Sequence, residues 1–145
     1  MAAKFVVQEF VPPVIYHNFS NKSWWFISPK ILDVAFELRH MVGQPLIINN
    51  WHTGGRMINR GYRPPHSNVG APYSMHRLGL AIDVSSPGLT PVQLLKAIQD
   101  NRARFLELGL TTIEDPAHTP TWLHLDCRPA IEGVQPPNDF LFVKP

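Results

Sequence analysis

The sequence lacks the features that define several classes of protein. It has one cysteine, Cys127, so a disulfide bond within the chain is excluded. Charged residues make up only 17% of the 145 positions and form no runs, and a net charge of +2 gives no indication of nucleic-acid binding. No apolar stretch is long enough for a transmembrane helix, and Gln8 and Glu9 interrupt the apolar residues near the start. We therefore expect no signal peptide, no membrane partner and no nucleic-acid partner.

The sequence does contain enough apolar residues for a core. Hydrophobic residues form 44% of the chain, which is typical of a globular rather than a disordered protein. The length suits one domain, to which we assign residues 1–145. Residues 1–27 are predicted to be an irregular or partly extended entry segment, in which Pro12-Pro13 ends a short strand. Residues 129–145 form a Pro-rich tail, whose apolar end at 140–143 either packs as an edge strand or contacts another chain.

The spacing of apolar residues predicts an α+β fold. Ser28 is a suitable N-cap and Pro29 is tolerated at the first helical position, ahead of apolar residues at helical spacing that end at Gly43. Thr90 and Gln93 form a capping box for a second helix. The predicted helices span 29–42 and 90–100, with a shorter piece at 105–108, and the predicted strands lie at 46–51, 79–84 and 122–127. We expect a small, mainly antiparallel sheet with these two or three helices packed against it.

Two of the predicted strands carry polar side chains on one face. Side chains alternate across a strand, so Ala81 and Asp83 share one face while their apolar neighbours share the other. In the second strand, His124 and Asp126 share a face by the same rule. If the two strands are neighbours in one sheet, Asp83 and His124 converge, and His76 folds over them from the preceding loop.

These three side chains have the donor types of a catalytic zinc site on the face of the sheet. Two imidazoles and a carboxylate, with a fourth position open to water, are a typical ligand set. Zinc suits amide hydrolysis because it acidifies a bound water and polarises a carbonyl. Asp126 would hold the imidazole of His124 in one tautomer. Taken singly, however, a lone His or Asp is more typical of a surface, core or turn position, so spacing alone leaves the metal site open.

Two motifs add a family resemblance. The string Ser-x-His-x-x-Gly-x-Ala-x-Asp at 74–83, followed by Trp-x-His-x-Asp at 122–126, resembles the LAS group of zinc peptidases. This group includes D-Ala-D-Ala carboxypeptidases and dipeptidases, L-alanyl-D-glutamate endolysins of phages, and the related hedgehog signalling domain. The resemblance covers residues 47–128, and the two motifs are specific in combination.

The resemblance implies roles for individual residues. His76, Asp83 and His124 match the zinc ligands of the group. Ser74 matches a serine that supports the site by hydrogen bonding. In the group, a Gly-Tyr-Arg segment precedes the first motif and its arginine binds substrate or the reacting carbonyl, which nominates Arg63. Residues 51–59 form a longer insertion than in the group and carry a second candidate, Arg56.

The catalytic base is where this sequence departs from the group. Members of the group carry an acid or a histidine two or three residues before the second zinc histidine, but Trp122 and Thr121 stand there in this chain. The remaining candidates are Glu114, Asp115 and His118. We favour Glu114, because it follows the apolar residues 110–113 and would lie at a strand end that faces the metal. A solvated loop carboxylate is the alternative for Glu114.

The resemblance implies zinc-dependent hydrolysis of peptide bonds in peptidoglycan, in D-Ala-containing or L-Ala-D-Glu peptides, by a carboxypeptidase or an endopeptidase. Made in the cytoplasm without a signal peptide, such an enzyme would act on the cell wall after release or as part of a virion, which favours a phage origin. The departure at the base keeps a second function open. The chain would then be a catalytically inactive zinc-binding structural or recognition module, such as a phage virion or tail component.

Overall fold

The structure is a computed structural model that describes residues 4–145, and its fold is α+β. The sheet contains four short strands and the described chain forms four α-helices, joined by loops and 3₁₀ turns. The helices are α1 (Pro13–Phe19), α2 (Pro29–Val42), α3 (Pro91–Asp100) and α4 (Arg102–Leu108). The strands are β1 (Ala81–Val84), β2 (Thr112–Glu114), β3 (Leu123–Asp126) and β4 (Leu141–Val143).

The sheet has the strand order β1-β3-β2-β4. Strand β3 pairs antiparallel with both β1 and β2, whereas β4 pairs parallel with β2 at the edge. The predicted mainly antiparallel sheet is therefore confirmed. The apolar end of the tail packs as an edge strand, which was one of the two outcomes expected from its sequence.

Helices α2, α3 and α4 bury apolar residues in the same core as the sheet, and α3 contacts β3. Helix α2 begins after Ser28, whose Oγ accepts a hydrogen bond from the backbone N–H of Lys30 at 3.3 Å, and it ends at Gly43 in the left-handed conformation. The capping box of α3 is formed, with Thr90 and Gln93 each accepting from the other's backbone N–H. Within residues 4–145, no helix combines the length and the apolar character needed to cross a membrane.

The entry segment was predicted to be irregular or extended, and this prediction is wrong. Its chain is largely helical: a 3₁₀ turn at Val7–Glu9, then α1, then a longer 3₁₀ segment at Ser20–Phe26. Pro13 occupies the first turn of α1, where its missing N–H costs nothing, so the proline pair starts a helix instead of ending a strand. Helix α1 is therefore a fourth helix, where two or three were expected from the sequence.

The strand predicted at 46–51 is also not formed. Only Ile47 makes a bridge, with Ser85 at the end of β1. Asn49, two residues further on, pairs elsewhere: its backbone N–H donates to Glu9 O at 3.0 Å, and its side-chain oxygen accepts from the N–H of Arg60 at 2.9 Å. The apolar run is buried as expected, but its backbone partners are irregular segments and not another strand.

Gly79 ends the turn that precedes β1 and lets two backbones touch. It has a φ of +69°, and a Cβ atom at this position would lie 2.0 Å from the carbonyl oxygen of Phe26. Gly79 O also accepts a hydrogen bond from the N–H of Ser28 at 2.9 Å. The glycine of the first motif therefore docks the entry segment against the strand that carries Asp83.

We predict that Gly79→Ala destabilises the protein much more than Gly43→Ala. Both glycines have positive φ, but the space around a Cβ at Gly43 is empty. Left-handed strain costs about 1–2 kcal/mol at either site, and displacement of the Phe26 backbone adds about 1–3 kcal/mol at Gly79 alone. Urea unfolding of the two variants measures the difference. Equal losses of unfolding free energy would contradict this close backbone approach.

Candidate metal centre

His76 is fixed by its backbone and by one ring nitrogen. It lies in the 3₁₀ turn Met75–Leu78, whose N-cap Ser74 accepts from the N–H of His76 at 3.3 Å, and its own carbonyl accepts from the N–H of Arg63. The ring nitrogen Nδ1 lies 2.8 Å from Gly61 O. A carbonyl oxygen only accepts, so Nδ1 must carry the proton. The other nitrogen, Nε2, is therefore left with a lone pair that faces the sheet.

The sheet register brings the other two predicted ligands together. Asp83 on β1 lies directly opposite His124 on β3. Side chains of such a pair project from the same face of the sheet. His124 Nδ1 lies 2.8 Å from Asp83 Oδ1, while the apolar residues that alternate with them point into the core.

The three side chains form one compact donor cluster beneath the loop that carries His76. His76 Nε2 lies 3.2 Å from His124 Nδ1 and 3.2 Å from Asp83 Oδ1. All three residues are buried, with 2–6% of their surface exposed. The group of His76, Asp83 and His124 can hold a metal ion, since one donor atom from each lies within 4.8 Å of the others. It is the one such group of three or more ligands among residues 4–145.

The second oxygen of Asp83 is held by Arg63. The guanidinium donates from Nη2 to Asp83 Oδ2 at 3.1 Å and from Nε to Asn59 O at 2.6 Å. Burial opposes ionisation of Asp83, but a hydrogen bond from His124 and the close approach of the His76 ring outweigh burial, so the pKa of Asp83 lies well below its usual range. Asp83 is thus a carboxylate with one oxygen toward the histidines and the other toward Arg63.

His124 lies between two carboxylates. Its Nδ1 faces Asp83 and its Nε2 lies 3.1 Å from Asp126 Oδ2. Burial lowers its pKa, but the hydrogen bonds to Asp126 and Asp83 outweigh burial and raise the pKa of His124 to about 9 in the metal-free protein. A metal ion bound at Nδ1 would therefore displace a proton from that nitrogen.

Glu114 lies in the same row across the sheet. Thr112 pairs with Asp126, so continuing the antiparallel register by two residues brings Glu114 opposite His124 and onto the face that carries Asp83. A cavity of about 640 Å³ opens over this row, and Glu114, His124, Asp83, His76 and Arg63 all line it. The two other candidate bases lie elsewhere: Asp115 accepts from the N–H of Ala117 in a turn, and His118 is exposed.

Sequence reasoning missed three contributors to this centre. Gly61 supplies the carbonyl that fixes His76, and it must be glycine because a Cβ there would lie 2.1 Å from Phe10 O. The carbonyl oxygen of Arg60 accepts a hydrogen bond from the N–H of Asp83, and its guanidinium donates to Ser85 Oγ at 3.0 Å. Arg128 binds Asp126 with two nitrogens. Of these, only Arg128 had a signal, since it falls on the polar face of β3 when the alternation is extended by two residues.

We predict that the purified protein takes up about one divalent transition-metal ion per chain. His76→Ala and His124→Ala should each abolish this uptake, because each variant leaves only two of the three protein ligands, too few to retain the ion during dialysis. His118→Ala, which removes an exposed histidine outside the cluster, is the matched control. Elemental analysis after dialysis gives the stoichiometry. Full metal content in both site variants would rule out this cluster as the metal site.

Comparisons with protein-family models, with curated proteins and with solved structures gave no match. The assignment of the centre therefore depends on its own donor atoms, their distances and their burial.

Proposed function

We propose that this protein is a zinc-dependent peptidase that acts on peptidoglycan peptides. One observation carries the proposal: Asp83, His124 and Glu114 lie in one row across three strands, beneath His76, on the floor of an open cavity. That arrangement combines a three-donor metal cluster with a nearby carboxylate outside it. The family and its substrate class come from the motif resemblance.

Zinc is the metal that suits this donor set best. Two neutral imidazoles and one carboxylate match catalytic zinc, which is held by three protein ligands in a tetrahedral arrangement. With bonds of roughly 2.0–2.1 Å, the ligand atoms of such a site stand roughly 3.3 Å apart. The separations here are 3.2, 3.2 and 2.8 Å, close to one face of that tetrahedron. His76, Asp83 and His124 all line the cavity, so an ion held by them would be accessible from it.

When bound, zinc would make a water acidic and polarise the scissile carbonyl. In this proposal, Glu114 would accept the proton of that water and return it to the leaving amine; its position in the same cavity as His124 and Asp83 supports this role. Arg63, which lines the same cavity and binds Asp83 through Nη2, would stabilise negative charge on the carbonyl oxygen. Asp126 keeps the ring of His124 in one orientation.

The cavity also fits a short acidic peptide. Its volume of about 640 Å³ lies within the range of small-ligand sites. The lining includes three cations, Arg63, Arg128 and Lys144, against the carboxylates of Asp83 and Glu114. Bound zinc would add two positive charges. Such a site attracts the carboxylates that peptidoglycan stem peptides carry. We infer that the enzyme meets this substrate after release from a cell or as part of a virion.

The direct test is release of amino groups from purified peptidoglycan. The zinc-loaded protein should release them, and Asp83→Ala should not, because it loses a ligand and leaves Arg63 without its partner. Labelling the new amino termini identifies the bond. Zinc binding without release from any cell-wall preparation would refute the peptidase and favour a non-catalytic zinc module.

We predict that Glu114→Gln retains zinc and lowers the hydrolysis rate by about 10²-fold or more, the contribution of a general base. Glutamine keeps the shape of the side chain but cannot take a proton at neutral pH. Asp115→Asn is the matched control, because the adjacent carboxylate caps a turn and does not line the cavity. Hydrolysis by Glu114→Gln at the wild-type rate would assign the base elsewhere.

A further inference from the structure

Arg128 forms hydrogen bonds to the carboxylate of Asp126, which in turn contacts the ring of His124. Its Nε donates to Asp126 Oδ1 at 2.8 Å, its Nη2 donates to Oδ2 at 2.5 Å, and its backbone N–H donates to Oδ1 at 3.2 Å. Asp126 is fully buried, so its charge requires such partners. The two-point fork fixes the plane of the carboxylate as well as its position. The direction in which Oδ2 meets the ring of His124 is therefore set by Arg128.

The contacts follow β3 and the two residues after it. His124 and Asp126 share one face of β3, and Arg128 lies two residues past the end of the strand, while Leu125 and Cys127 between them are buried in the core. Asp126 Oδ2 lies 3.1 Å from His124 Nε2, and the same oxygen accepts a hydrogen bond from Arg128 Nη2. Arg128 is therefore connected through Asp126 to the imidazole of His124, whose Nδ1 faces Asp83 and His76.

We propose that Arg128 is a positioning residue for the metal site. By fixing Asp126, it keeps the proton of His124 on Nε2 and the ring in the plane that directs Nδ1 toward His76 and Asp83. The inference depends on the metal centre of the proposed function, but not on peptidase activity.

Two other roles for Arg128 predict different results. A guanidinium near the site that acts only by its charge repels a divalent cation, so its removal would tighten zinc binding. An arginine that only neutralises Asp126 for folding would leave zinc affinity unchanged and lower stability. If Arg128 is a positioning residue, its removal weakens zinc binding, whereas removal of a purely repulsive charge tightens it. Loss of zinc affinity also distinguishes positioning from a role in folding alone, which changes only the stability.

The experiment measures zinc affinity by competition with a chelator at one fixed pH. We expect Arg128→Met to bind zinc about tenfold more weakly, the lower end of the effect of outer partners on metal affinity, since Arg128 acts through one intervening residue. Arg128→Lys should recover only part of the loss, because an ammonium cannot fork onto both oxygens. Lys144→Met removes a cation that lines the same cavity and should not weaken binding.

A double-variant cycle tests whether Arg128 acts through Asp126. Asp126→Asn should weaken zinc binding, and adding Arg128→Met to it should cause no further loss, since the carboxylate that Arg128 binds is gone. The double variant also avoids a buried unpaired charge, so it keeps the test valid if Arg128→Met alone fails to fold. In the zinc-loaded wild type, nuclear magnetic resonance should show a slowly exchanging proton on Nε2 of His124, and in Arg128→Met this exchange should be faster.

Three results would overturn the proposal: unchanged or tighter zinc binding by Arg128→Met, further loss in the double variant, or absence of zinc binding by the wild type. Weaker zinc binding by Arg128→Met in a protein that hydrolyses no peptidoglycan would support the positioning role while refuting the proposed peptidase. The two proposals therefore fail separately.

Discussion

The antiparallel pairing of β1 with β3 is the constraint on which the rest of the site depends. It places Asp83 opposite His124, and the two side chains meet because paired residues share a face. A slip of one residue would turn one of them into the apolar core. Leu123 and Leu125, which flank His124, are fully buried and hold this register from the other face.

The two buried carboxylates of the centre, Asp83 and Asp126, each have histidine and arginine partners. Asp83 meets two histidines and Arg63, and Asp126 meets His124 and Arg128. An ion pair in such surroundings barely offsets the loss of hydration unless its remaining hydrogen bonds are made. The network is therefore costly to assemble for stability alone. A fixed set of donor atoms around one point is a reason to retain it.

The sequence indicated much of this architecture where local and periodic signals agree. Capping residues located α2 and α3, and alternation located β1, β3 and their polar faces. The same rules failed for residues 1–27, since a proline pair can end a strand or start a helix and the local sequence does not distinguish the two. They also failed at 46–51, whose backbone partners are distant irregular segments that no local pattern reveals.

The candidate site also has a part that the sequence predicted and a part that it did not. His76, Asp83 and His124 were predictable because a motif and strand alternation coincide. For Glu114, the sequence predicted only a position at a strand end facing the metal. Its alignment with His124 depends on the register of β2 on β3, which is a long-range property. The carbonyl of Gly61 was not predictable from side-chain types, because its role belongs to the backbone.

The most direct test of the metal centre is a crystal structure of the zinc-loaded protein with anomalous diffraction measured at the zinc edge. The geometry described here predicts one anomalous peak per chain, about 2.0–2.2 Å from His76 Nε2, His124 Nδ1 and a carboxylate oxygen of Asp83. Nε2 of His124 should remain on Asp126. No peak at this cluster, or a zinc ion bound through Nε2 of His124, would contradict the account.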